Sequence, residues 1–191
     1  MRIEEEIKLD YSDVLFRPKR STLKSRKDVD LNRKYTFKHS RSSWKGIPII
    51  ASNMDGVGEI DVAKKLSSHK LMTALTKQHD INQIGTIYKK NIFFDSIALS
   101  CGTSKDSYNR LNSILKKYPK FKFICIDVAN GYSENFSNFV SEVRKKYPKK
   151  TIIAGNVVTA DMTQELVLSG ADIVKVGIGP GSVCTTRIQT G

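Results

Sequence analysis

The sequence predicts an α/β fold built on a parallel β/α sheet. Three observations lead to it: short apolar runs alternate regularly with stretches apolar at helical spacing, several of those runs end in small or polar residues, and the last opens into a glycine-rich loop. An irregular N-terminal segment precedes the first strand, at residues 46–53, and a helix follows over 59–68. The second strand, 71–76, runs within a few residues into the next helix. Strands three to six fall at 96–100, 122–127, 151–156 and 172–176. Helices are predicted over 106–118, 132–147 and 160–169, the first with Leu111, Ile114 and Leu115 on one face.

The strand ends carry Asn53, Asp55, Thr76, Lys77, Gln78, Ser100, Asp127, Asn130 and Asn156. In a TIM-type (β/α)8 barrel such ends form the mouth where chemistry occurs, so polar groups converging there mark a site. A complete barrel needs about 250 residues, whereas six strands fit in the 191 residues present. The expectation is one C-terminally incomplete barrel domain over 1–191, truncated after about six strands, with an N-terminal arm at 1–45 and the strands and cysteine loop at 46–191.

Bulk properties narrow the function classes. The hydrophobic fraction of 39% suits a soluble globular chain with a sizeable core, and the charged opening Met1 to Glu6 has no signal-peptide stretch, so a cytoplasmic protein is expected. Cys101, Cys125 and Cys184 cannot all pair, and their spacing fits no zinc pattern; all three read as reduced thiols. A net charge of +13 is compatible with nucleic acid, acidic lipid or phosphorylated small molecules. The lysines are scattered, as in Lys116-Lys117 and Lys145-Lys146, and no nucleic-acid module accompanies the basic stretch from Arg17 to Lys27.

The most informative stretch is Lys175-Val-Gly-Ile-Gly-Pro-Gly-Ser-Val-Cys-Thr-Thr-Arg187. Gly177, Gly179 and Gly181 permit backbone turns that a Cβ would forbid, and Pro180 stiffens the loop. Loop carbonyls can converge on a cation and amides on an anion, while Cys184 is followed by two hydroxyls and a guanidinium, the setting of a nucleophile. A buried structural cysteine in an ordinary turn is the competing reading.

This loop resembles the cysteine loop of the inosine monophosphate dehydrogenase/GMP reductase family. The resemblance extends through Ile7 to Arg26, through Ile47-Pro-Ile-Ile-Ala-Ser-Asn-Met-Asp55, through Cys125-Ile-Asp-Val-Ala-Asn-Gly-Tyr-Ser133 and through Ala154-Gly-Asn-Val-Val-Thr159. The basic arm and the short link after the second strand, with no room for an inserted regulatory domain, resemble the reductase branch. An IMP dehydrogenase-type oxidoreductase is the alternative, and a truncated paralogue without catalysis is a second class.

The resemblance implies NADPH-dependent reductive deamination of GMP to IMP, with ammonia released, through a covalent Cys184–purine (thioimidate) intermediate in nucleotide salvage. It implies that Thr186 passes a proton to the departing ammonia, partnered by a glutamate from a later loop. Ser25, Arg26, Lys77, Asp127, Val128, Ala129, Ile178 and Gly179 match cofactor-contacting positions, Ser25 and Arg26 reaching a neighbouring subunit of a homotetramer. Gly179, Gly181, Cys184 and Arg187 match positions whose carbonyls hold a monovalent cation, usually potassium. GMP and IMP are the implied ligands, with neither nucleic acid nor membrane as partner.

The residues by themselves leave plainer readings open. Lys77 could be a surface lysine, Asp127 a helix cap, and Asn156 a turn residue. His39, His69 and His79 have no evident catalytic partner, Trp44 reads as a packing residue, and Cys101 and Cys125 as core thiols. Histidines commonly flank the family's lysine, but here the sequence is Thr76-Lys-Gln-His79.

Overall fold

The computed structural model describes residues 7, 9, 11–89, 94–179 and 184–190. The chain divides into two compact units, Met1–Asp30 and Leu31–Gly191. The first carries two single 3-10 turns, Tyr11–Asp13 and Arg26–Asp28, and is exposed over nearly all of its described length.

The larger unit opens with an antiparallel hairpin, β1 (Arg33–Thr36) and β2 (Ser43–Gly46). The parallel sheet comprises β3 (Ile50–Ala51), β4 (Met72–Leu75), β5 (Ile97–Cys101), β6 (Phe123–Asp127), β7 (Thr151–Val157) and β8 (Ile173–Val176), in that spatial order. The helices are α1 (Ile60–Ser68), α2 (Ile81–Lys89), α3 (Lys105–Lys117), α4 (Glu134–Lys146), α5 (Ala160–Leu168) and α6 (Thr186–Thr190). Each parallel strand lies beside the next in sequence, the pattern of a β/α barrel over six strands.

Period-two alternation splits the strand residues between two cores. Leu75, Ile97, Leu99, Ile124, Ile126 and Ile152 face the helices and pack on Ile84, Leu111, Ile114, Phe136, Val140 and Leu166. Met72, Ala74, Ala98, Phe123, Cys125 and Ile153 face the other way and enclose a smaller core with Phe37 and Trp44. Both faces are therefore buried, which explains why these strands are continuous apolar runs. Local signals set the helix ends. Ser104 and Ser133 cap α3 and α4 by accepting from Ser107 N and Phe136 N, each at 3.3 Å, and Lys116–Lys117 and Arg144–Lys146 sit in the last turns where the dipole favours cations.

Two expectations need correction. The first parallel strand does not run over 46–53; Gly46 ends β2, and only Ile50–Ala51 pair with β4. The segment preceding it is not irregular throughout, because it contains the hairpin. All four β1 residues are exposed, so the strand lacks the apolar alternation that would reveal it. The hairpin turn supports the sheet floor. Phe37 meets Phe123 edge-on with centroids 5.7 Å apart, Ser40 and Ser42 bond the Thr151 hydroxyl at 3.0 and 2.8 Å, and Trp44 is buried as a packing residue. Phe123 and Thr151 begin β6 and β7, so the hairpin covers the strands' N-terminal ends and leaves the C-terminal ends for a site.

Candidate active site

The strand ends bring together residues far apart in sequence. Asp127 closes β6, Gly155 lies in β7 and Lys175 in β8, and the ladder registers pair Asp127 with Gly155 and Gly155 with Lys175. One row across three strands thus places an acid and a base on either side of a glycine. Lys175 Nζ donates to Asp127 Oδ1 and, at 2.9 Å, to Asn53 Oδ1 beyond β3. Both charged side chains remain a quarter exposed, so the pair sits at the mouth and not in the core. Asp127 therefore does not cap α4, whose N-cap is Ser133.

The neighbouring loops are fixed by backbone hydrogen bonds. Val128 N donates to Gly155 O, Asn156 N donates to Val128 O, both at 2.9 Å, and Gly131 N donates to Asn156 O at 2.8 Å. Asn156 lies within β7 and is no turn residue, its Nδ2 donating to Gly177 O at 2.7 Å. The loops after β6 and β8 are thereby cross-linked through the end of β7, with Val128 half-buried and Ala129 exposed at their edge. Tyr132 adds a tie: its hydroxyl accepts from Val158 N and donates to Thr159 Oγ1, each at 3.0 Å.

The glycine loop leaves β8 through Gly177 at φ 126° and Gly179 at φ 56°, backbone that a side chain would strain. Ile178 and Gly179 are half-buried. Gly181 lies outside the described residues, as do Pro180, Ser182 and Val183. The chain resumes at Cys184, half-buried, with Sγ 3.2 Å from the Thr186 hydroxyl at the start of α6. Arg187 belongs to α6.

The other two cysteines differ sharply. Cys101 and Cys125 are buried, and burial raises their pKa from 9.0 to about 12 and about 11. They are core thiols, poorly placed to act as nucleophiles.

Lys77 is exposed after β4 and lines a recess of about 330 Å³ with Gly102, Ser104, Asp106, Ser107 and Arg110. That recess lies over the ends of β4 and β5, and its lining does not include Asp127, Ile178 or Cys184. Arg110 forms its wall by donating to Ser100 O at 3.1 Å and to His79 O. His79 has an acidic partner, Glu59 Oε2 at 3.2 Å, while His39 Nε2 lies 2.8 Å from Val167 O. Ser25 and Arg26 belong to the smaller unit, where Ser25 caps the 3-10 turn, accepting from Lys27 N at 3.2 Å and donating its own amide to Asp28.

Sequence reasoning missed Lys175 as the partner of Asp127 and as a donor to Asn53. A signal exists: a lone lysine between valines in a strand whose neighbours are all apolar, in register with a glycine. Among the described residues no helix is long and apolar enough to cross a membrane.

The sequence and the fold both have counterparts among known proteins. The chain is 54% identical over its whole length to a GMP reductase of Yersinia enterocolitica and 55% identical to one of Citrobacter koseri, and it spans 56% of the length of each. A crystal structure of inosine 5′-monophosphate dehydrogenase from Legionella pneumophila superposes with a TM-score of 0.76 at 28% identity, over 96% of this chain and 55% of that one. The sequence profile of the IMP dehydrogenase / GMP reductase domain matches residues 8–191, and the chain belongs to that family.

Proposed function

We propose that the protein acts as a GMP reductase, converting GMP to IMP and ammonia at the expense of NADPH. The observation that carries the reading is the Cys184–Thr186 pair, a half-buried thiol 3.2 Å from a hydroxyl in the loop that follows a barrel strand. The Cys184 thiolate adds to C2 of the guanine ring, splitting one difficult substitution into two easier steps. Thr186 hands a proton to the departing amine, so that ammonia leaves and a purine–cysteine thioimidate remains. NADPH, when bound, supplies the hydride for the same carbon, after which the thiolate is released and IMP departs. Proton transfer of this kind contributes about 10²–10⁴ in rate, and a threonine needs an acidic partner to supply it. By family resemblance that partner is a glutamate of a later loop.

In this reading Lys77, Asp127, Val128, Ala129, Ile178 and Gly179 hold the cofactor, with Ser25 and Arg26 serving the cofactor of a neighbouring subunit in a homotetramer. The carbonyls of Gly179, Gly181, Cys184 and Arg187 hold potassium and thereby the shape of the cysteine loop. Residues 1–191 form the N-terminal arm and six strands of one barrel domain, working in the cytoplasm on small nucleotides without nucleic acid or membrane. The five-residue link between β4 and α2, residues 76–80, leaves no room for an inserted domain and favours the reductase over the dehydrogenase.

The test is to follow NADPH absorbance with the full-length gene product. Oxidation dependent on GMP, with IMP and ammonia formed in equal amounts, is expected. NAD reduction driven by IMP instead would establish the dehydrogenase reaction.

A further inference from the structure

We propose that Lys175 is a positioning residue for the reaction, holding the Asp127 carboxylate at the mouth across the gap left by Gly155. The inference rests on the reading above that Asp127 meets the cofactor. Strands β6 and β8 are separated by β7, so their backbones lie roughly 9–10 Å apart, two strand spacings. A carboxylate and an ammonium in the same row meet only if the residue between them carries no side chain. Gly155 is that residue, and a Cβ built on it would lie 2.5 Å from Lys175 O and 2.6 Å from Lys175 Cβ. The long lysine stem then crosses over β7 to reach Asp127 Oδ1. Its second acceptor, Asn53 Oδ1 at 2.9 Å, comes from the opposite edge of the sheet, which fixes the ammonium between two anchors.

A carboxylate on a strand end can rotate freely unless something holds it, and small misplacements of a contacting group lower turnover by about a hundredfold. Lys175 supplies the hold while the neighbouring Asn156–Gly177 bond secures the backbone beneath it. An aspartate whose direction is set by the fold, before any ligand arrives, is ready to meet the cofactor without rearrangement.

The experiment compares wild type, K175M and K175R in the full-length gene product, reading kcat, KM for GMP and NADPH affinity by fluorescence. K175M should lose about 30- to 100-fold in kcat with KM for GMP changed less than about threefold. On a D127N background the same change should alter kcat by less than about threefold, because its effect runs through Asp127. K175R, which keeps the charge, should recover to within about tenfold of wild type. K175Q, which keeps a donor for Asn53 but no charge, replaces K175M if that variant does not fold. A folded neutral variant with kcat within threefold of wild type overturns the proposal, as does a loss that multiplies with D127N. Two unfolded neutral variants beside a fully active K175R also overturn it, assigning the lysine to folding alone. Wild type that binds no NADPH and shows no GMP-dependent turnover sinks the functional reading itself.

Discussion

Arg144 Nη2 lies 2.6 Å from Asp172 Oδ2 on the sheet floor, with the carboxylate fully buried. Asp172 also accepts from His39 N at 2.8 Å, Ser40 N at 3.2 Å and Ile152 N at 3.1 Å, while Arg144 donates to Gly170 O at 2.9 Å and Lys150 O at 2.8 Å. One carboxylate thus joins the hairpin turn, β7, the approach to β8 and α4. Burial lowers the Arg144 pKa from its usual value, and Asp172 acts against that shift. The D172A variant should be destabilised by about 3–5 kcal/mol, because it strands a buried guanidinium and three amide contacts. Denaturant unfolding of the full-length gene product checks this; a change below about 1 kcal/mol would show that the floor relaxes.

Cys184 should be the one cysteine needed for chemistry. At pH 8 a limiting amount of iodoacetamide should label Cys184 first, since burial keeps Cys101 and Cys125 in the thiol form. C184A should abolish turnover, whereas C101A and C125A should mainly lower the melting temperature. Mass mapping of the label and steady-state assays decide the matter, and turnover retained in C184A would remove the covalent step.

Removing the Thr186 hydroxyl should slow ammonia release and leave cysteine reactivity nearly intact. T186A is expected to lower kcat by about 10²–10⁴, while alkylation of Cys184 changes by less than about threefold. Equal losses in both measurements would assign the 3.2 Å contact to activation of the thiol instead.

Alkaline pH should act on the two buried thiols. Their folded pKa values, about 12 and about 11, lie above the ordinary 9.0, so the unfolded chain loses these protons first. Their stabilising contribution is complete below pH 9 and is lost progressively as pH rises from there toward 11 and 12. Melting curves at pH 8 and pH 10 should show a smaller alkaline drop for C101A than for wild type. Identical drops would place the alkaline weakness elsewhere.

A polypeptide limited to residues 1–191 should be weakly stable and catalytically silent. Among the described residues β3 and β8 each pair on one side only, and Val176 is 62% exposed, leaving two edges open to association. In the proposed mechanism Thr186 needs an acidic partner, which by resemblance comes from a later loop. Thermal unfolding and a GMP-dependent NADPH assay on this polypeptide test both claims; a cooperative monomer with turnover would refute them.

Strands β4 to β8 were legible in the sequence because the parallel sheet there is buried on both faces. Runs such as Ile97 to Leu99 and Phe123 to Ile126 are apolar because both of their faces are buried, and serine caps mark the starts of α3 and α4. The glycine loop announced Cys184 and Thr186, since two residues of spacing suffice to bring a thiol and a hydroxyl together. The hairpin escaped notice because β1 is exposed at every position and its contribution comes from Phe37 and Trp44, whose neighbours are far away in sequence. Only the tertiary structure decided that Lys175 meets Asp127 and Asn53, across 48 and 122 residues, and that Asp172 anchors Arg144. Local chemistry is written in local spacing, whereas a pairing across strands depends on ladder register, which the sequence carries only through the burial of whole strands.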